Sequence, residues 1–275
     1  METINFCINI KVESEKILLK VLEECIRTNL NIDIIIEFTV SKIPYIHIIY
    51  KLIYLFKLEM NSTSRIRIFF SDEINDIDRN EIKSWNEIKQ IRSNIDIDND
   101  AEEGKLERLL ALIRLKTMKY YDADIKEKYI NTIIGGTFDH MHEGHYVLIS
   151  IALLLSEKVI NIGLTTSVLH SSKKLNDKIQ DYETRYENIK TFVKKFKKIE
   201  LIINPLNDRF GCAIDPGYDC IFISKETFSG AIIINEIREI RGLPKLMVVV
   251  TPMLSNDKNR LSSTQIRMRI ENKQI

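Results

Sequence analysis

Apolar residues along the chain alternate between short blocks and longer runs, regularly enough to predict elements. Residues 129 to 134 (YINTII) read as a short buried strand, whereas residues 146 to 155 (YVLISIALLL) are too long and too apolar for a strand and lack breakers, which predicts a helix. A second strand is predicted over 159 to 166 (VINIGLTT), then a polar loop at 171 to 174 (SSKK) and a helix over 181 to 196. Further strands are predicted at 200 to 203, 220 to 224 and 246 to 251, with a helix from about 227 to 241. Strand and helix alternate throughout, the signature of right-handed parallel crossovers. The expected architecture is therefore α/β, a five-stranded parallel sheet flanked by helices.

The first half repeats the alternation less clearly. Strands are expected at 3 to 12, 31 to 40 and 65 to 70, helices at 14 to 29 and 80 to 92, and an apolar element of either kind at 43 to 58. This order predicts a second, smaller α/β domain of unknown type over residues 1 to 125, with the other domain over 126 to 275. The polar stretch 93 to 104 (SNIDIDNDAEEG) is the best linker, followed by a helix from 105 to about 121. No glycine-rich phosphate loop, catalytic pair or metal spacing is found in this half, and no internal repeat.

Composition narrows the classes. At 275 residues with 44% hydrophobic content, two domains of ordinary size can each bury a core. A net charge of +1 argues against a large nucleic-acid footprint. Residues 43 to 58 fall short of the roughly 20 apolar residues a membrane span requires, and they carry His47, Lys51 and Lys57. Cys7, Cys25, Cys212 and Cys220 have neither zinc nor redox-motif spacing, which predicts reduced thiols in an intracellular, cytoplasmic protein. Residues 1 to 11 alternate like a strand without the cationic start of a secretory signal.

The chemistry is concentrated where the first strand of the carboxyl half meets its helix. Residues 133 to 145 (IIGGTFDHMHEGH) form a strand-to-helix turn, and such a turn lies at the ligand-binding end of a parallel sheet, beside a helix N-terminus that favours anions. Gly135 and Gly136 permit positive φ and close approach of a ligand, and Thr137 offers a hydroxyl to a phosphate oxygen. His142 and His145, spaced i, i+3, point to one side of the first helical turn, with Gly144 leaving room between them. Two imidazoles there can stabilise charge growing on a phosphate. His140, His142, His145 and Asp139 also admit a metal reading, ranked lower because no cysteine ligand stands at useful spacing.

Lys173 and Lys174 follow the second strand on the same rim. Residues 261 to 267 (LSSTQIR) follow the last strand, where Ser262 to Gln265 fits a helix capping box. The hydroxyls of Ser262, Ser263 and Thr264, with Arg267 reaching in, make a second anion site facing the first. Two facing anion sites suit a triphosphate.

These residues carry a resemblance. TFDHMHEGH and LSSTQIR resemble the H-x-G-H and I-S-S-T-x-I-R motifs of the nucleotidyltransferase superfamily, whose fold is Rossmann-like. GLTTS at 163 to 167, the E-x-R of 183 to 185, DRFGCAID at 208 to 215, ISKETF at 223 to 228 and INEIREIRGLP at 234 to 244 narrow it. Together they resemble the archaeal and eukaryotic phosphopantetheine adenylyltransferase family over about residues 131 to 271. The resemblance implies transfer of AMP from MgATP to 4′-phosphopantetheine, giving dephospho-coenzyme A and pyrophosphate in coenzyme A biosynthesis, with Mg²⁺ as companion of the nucleotide.

By the same resemblance, His145 is the main catalytic residue, joined by Thr137, Lys173 and His142. Gly136, Thr137, Phe138, His142, Gly144, His145, Ser262, Ser263, Thr264 and Arg267 form the ATP site. Thr137, Asp139 and Lys173 hold the acceptor, with Lys174 as the alternative alignment to Lys173. Ser229 departs from the arginine of the animal bifunctional relatives. Coenzyme A as a feedback ligand, a homo-oligomer and a pathway complex all stay open. So do three alternatives: a nicotinamide mononucleotide adenylyltransferase, a phospholipid-pathway cytidylyltransferase, and a non-catalytic relative acting as a scaffold.

Overall fold

The computed structural model describes residues 4–9, 31–37, 48–51, 53–54, 57, 64–70, 82–83, 128–196, 199–251, 253–254 and 261–272. The chain divides into two compact units, Met1–Ala123 and Asp124–Ile275.

In the first unit, β1 (Ile4–Asn9), β2 (Ile32–Glu37), β3 (Ile66–Phe70) and β4 (Ile82–Lys83) form a parallel sheet in the order β3-β2-β1-β4. The apolar element is helical at residues 48–51. Its Tyr50 is fully buried, and the phenol oxygen accepts a hydrogen bond from the backbone N–H of Ile68 in β3. The expected helix at 80 to 92 is corrected at its start, because Ile82 and Lys83 pair with Asn5 and Phe6 of β1. That pairing occupies the second edge of β1, whose backbone groups need partners when buried. The helices expected at 14 to 29 and 105 to 121, and the linker at 93 to 104, lie outside the described residues.

The second unit has five parallel strands, β5 (Tyr129–Gly136), β6 (Ser156–Thr165), β7 (Glu200–Leu206), β8 (Cys220–Ser224) and β9 (Met247–Thr251), in the order β7-β6-β5-β8-β9. Four helices, α1 (Glu143–Leu155), α2 (Tyr182–Val193), α3 (Phe228–Ile240) and α4 (Ser263–Glu271), flank them. This is a Rossmann-like sheet of the kind the alternation predicted. The chain runs outward from β5 through β6 to β7, then crosses back to β8 on the other side. The topological switch therefore falls beside β5, and ligands of such sheets bind beyond the strand ends at that point.

Local chemistry explains the boundaries. Ile134, Val147, Ile149, Ile151, Ile160 and Ile162 have almost no exposure, consistent with a sheet and helix covered on both faces. Asp181 caps α2 by accepting from the Thr184 N–H at 2.7 Å. The third strand of this unit runs three residues past the expected 203, and it includes Pro205 because β7 is an edge strand with a free side. Within INEIREIRGLP, buried Arg238 donates to the carbonyls of Ala213, Asp215 and Pro244 at 2.9, 2.6 and 2.7 Å, pinning the β7–β8 connection to α3. Among the described residues, no helix is long and apolar enough to cross a membrane.

Candidate functional site

The turn between β5 and α1 is built on two unusual backbones. Phe138 and His140, not the glycines, take positive φ, at 49° and 45°. Such a conformation costs of order 1 kcal/mol or more for a residue with a side chain. Packing and hydrogen bonds hold it: Phe138 is 1% exposed, and the His140 N–H donates to Gln180 Oε1 at 2.8 Å. Gly135 and Gly136 do not use the left-handed freedom expected of them. Gly136 is needed for space, since a Cβ there would stand 2.9 Å from the Phe138 ring.

Space also explains Gly144. A Cβ on it would meet His142 Cε1 at 3.0 Å, so its absence lets the imidazole fold back over the first turn of α1. His142 is the N-cap residue, and its Nδ1 accepts from the Gly144 N–H at 3.2 Å. In that contact Nδ1 acts as the acceptor. The His142 and His145 rings stack with centroids 3.9 Å apart. His145 Nδ1 is buried with no hydrogen-bond partner. Burial first, and then the neighbouring His142, push the His145 pKa well below the usual imidazole value. The ring is therefore neutral at rest and can donate one hydrogen bond.

Thr137, Lys173 and the end of β6 meet on the same rim. Lys173 Nζ donates to Thr137 Oγ1 at 2.5 Å, and Thr165 Oγ1 donates to the same oxygen at 3.1 Å. Burial and then Arg267 lower the Lys173 pKa from the usual lysine value. Lys174, the alternative alignment, is exposed and contributes its carbonyl instead, accepting from Arg267 Nη2 at 2.9 Å.

Two expected ligand contacts are placed elsewhere. Asp139 has no exposure: Oδ1 accepts from the Gln180 N–H at 2.9 Å and Oδ2 from Arg267 Nη1 at 2.6 Å. Arg267 is 2% exposed and does not reach outward as a free fork, its guanidinium being spent on Asp139, the Lys174 carbonyl and Thr264 Oγ1. A buried guanidinium needs such partners to offset its lost hydration. The pair thereby ties α4 to the β5–α1 turn and the lysine loop. Ser262 caps α4, accepting from the Gln265 N–H at 3.3 Å, and the N–H groups of its first turn lie beside the half-exposed Ser263 and Thr264.

Four neighbours had no place in the site expected from sequence: Thr165, His170, Gln180 and Arg185. Arg185 is 1% exposed, and its Nη1 bridges the carbonyls of Thr137 and Thr165 at 2.9 and 3.0 Å. Thr165 and Arg185 stood in motifs without a role, whereas nothing in the sequence marked His170. No group of three His, Cys, Asp or Glu side chains suited to a metal ion occurs among the described residues.

Burial of His145 has a consequence for stability. It and His170, also lowered chiefly by burial, are held neutral in the fold, whereas the unfolded chain protonates them near pH 6.5. Below that pH the unfolded state binds more protons, so stability falls as pH falls. Thermal unfolding is expected to show a steeper loss between about pH 7 and about pH 5 for the native chain than for His145→Gln. Parallel curves for the two proteins would contradict this account.

A Rossmann-like sheet with an H-x-G-H turn at its switch point and a hydroxyl-capped helix beside it defines a nucleotidyltransferase domain. In agreement, residues 133–269 match the family model described as cytidylyltransferase-like. The chain is 36% identical over 151 residues to a phosphopantetheine adenylyltransferase of Methanopyrus kandleri, covering 52% of this chain and 92% of that one. A Saccharomyces cerevisiae phosphopantetheine adenylyltransferase is 35% identical over 149 residues, covering 51% of this chain and 48% of the yeast protein. A crystal structure of a protein with unknown function from Archaeoglobus fulgidus is similar at 29% identity and a TM-score of 0.42, over 48% of this chain and 96% of that one. The chain belongs to the phosphopantetheine adenylyltransferase family. The matched region spans about half the length of the yeast relative.

Proposed function

We propose that the second unit transfers AMP from MgATP to 4′-phosphopantetheine, yielding dephospho-coenzyme A and pyrophosphate. The observation that carries this reading is the Lys173–Thr137 pair on one rim with neutral His145, in a chain of this family. An oxygen of the acceptor phosphate attacks the α-phosphorus of ATP, the bond from that phosphorus to the bridging oxygen breaks, and pyrophosphate leaves. No protein nucleophile is required, because such transfers depend on alignment and charge stabilisation.

Each side chain then has a task. Lys173 and Thr137 hold the acceptor phosphate and offset its charge, so that two anions can approach. His145 donates a hydrogen bond to the α-phosphate as its charge redistributes, and His142, stacked on it, fixes the plane of the ring. Gly136, Phe138 and Gly144 shape the surface against which the nucleotide lies. Ser262, Ser263 and Thr264 take the β- and γ-phosphates at the start of α4. Asp139 and Arg267 hold this frame together from beneath and need not touch either substrate. Mg²⁺ belongs to the substrate, bound by the triphosphate whose charge it neutralises. A reducing compartment such as the cytoplasm is part of this reading, which the free thiols Cys212 and Cys220 support.

The test is pyrophosphate release with MgATP or MgCTP against phosphopantetheine, nicotinamide mononucleotide and phosphocholine. Turnover is expected with MgATP and phosphopantetheine. Turnover confined to either of the other acceptors would overturn the assignment.

A further inference from the structure

We propose that Thr165 and His170 are positioning residues that set the direction of the Thr137 hydroxyl proton, aiming it outward at the acceptor phosphate. The inference deepens the proposed function and rests on its assignment of Thr137 to the acceptor. A threonine hydroxyl owns one proton and two lone pairs. Both lone pairs of Thr137 Oγ1 are engaged, one by Lys173 Nζ and one by Thr165 Oγ1, each acting as donor. Neither can take a proton back, since an ammonium has no lone pair and Thr165 is directed toward Thr137. The Thr137 proton is left for a further acceptor, on a residue that is only half-buried.

What holds Thr165 in that sense is His170. Thr165 Oγ1 has given its single proton to Thr137, so its 2.9 Å contact with His170 Nε2 requires the imidazole to donate. His170 is buried, and in this row its proton stands on Nε2, facing Thr165. The hydrogen bonds run in one direction, from His170 to Thr165 to Thr137 and on to the bound anion. An acceptor at position 170 would reverse the row and turn the Thr137 proton inward.

The spacing of the row is fixed from two sides. Arg185 clamps the carbonyls of Thr137 and Thr165 with one nitrogen, keeping the two strand ends in register. The His170 carbonyl accepts from the Lys173 N–H at 2.8 Å, and its own N–H donates to the Ser167 carbonyl at 3.0 Å. The turn that presents the Lys173 ammonium thus also presents the imidazole, and both converge on Thr137. A row ordered before the substrate arrives costs no reorganisation during reaction.

Two measurements on the full chain test this. In the first, ¹⁵N shifts of the imidazoles report the His170 tautomer without any substrate; Nε2–H is expected, and an Nδ1–H tautomer would overturn the row. In the second, steady-state kinetics separate the substrates. Thr165→Val and His170→Leu are expected to lower kcat/KM for phosphopantetheine about tenfold, one hydrogen bond's worth, with the KM for ATP unchanged. Thr165→Ser and His170→Gln, which keep the donors, restore most of it. Equal impairment of Thr165→Val and Thr165→Ser, or unchanged acceptor kinetics in Thr165→Val, would overturn the proposal. Should Thr165→Val fail to fold, the His170 variants and the tautomer decide. A wrong substrate would show instead as a native chain inactive with phosphopantetheine, whereas the tautomer reports on the row in either case.

Discussion

Replacing His145 with alanine is expected to lower turnover by a hundredfold or more, the usual loss for one preorganised donor at a site of developing charge, while leaving the fold intact. The two halves of that expectation come from the same side chain. Its ring stacks on His142 and is kept neutral by burial, so it can donate a single ring N–H to a phosphate. Its Nδ1 is buried and unpartnered, so truncation breaks no hydrogen bond there and removes a polar atom that gains nothing from burial. Kinetics and a denaturation curve on the same preparation check both. Near-native turnover would remove His145 from the reaction, and a collapsed fold would show that the ring is structural.

The largest stability effect is expected at Asp139. Asp139→Ala leaves the Arg267 guanidinium buried without its carboxylate, and breaking such a pair typically costs about 3–5 kcal/mol. The charge sits at 2.6 Å from its partner, with both groups almost wholly removed from solvent that could take over. Chemical denaturation of the variant should therefore show a midpoint shift of that order. The double variant Asp139→Leu/Arg267→Met should recover most of the loss, because apolar replacements of a whole buried pair are often neutral. If the single variant lost less than about 1 kcal/mol, the pair would be no more than an exposed salt bridge in effect.

These two residues also mark where sequence stops being informative. The strand-to-helix reading of residues 133 to 145 rests on local pattern; His145 lies on the first turn of α1 as that pattern expects, and His142 caps the turn from just outside it. The same holds for Ser262, whose spacing to Gln265 announces a cap. Nothing local reveals what lies over a side chain. Arg267 reads as a cation reaching for phosphate until Asp139, 128 residues earlier, is found against it. His170 is a polar residue in a polar loop until the end of β6 is seen to supply Thr165. Positive φ was expected at glycines, and packing imposed it on Phe138 and His140 instead. In the first unit, periodicity favoured a helix where Ile82 and Lys83 pair with a strand, since pairing depends on a distant partner that the pattern does not contain.

The long separation between Asp139 and Arg267 has a temporal side. A chain synthesised from its amino end presents the β5–α1 turn well before α4 exists, and until then the carboxylate of Asp139 lacks its Arg267 partner. A polypeptide ending before α4 would lack the guanidinium that covers Asp139 and, with it, the hydroxyls of Ser262, Ser263 and Thr264.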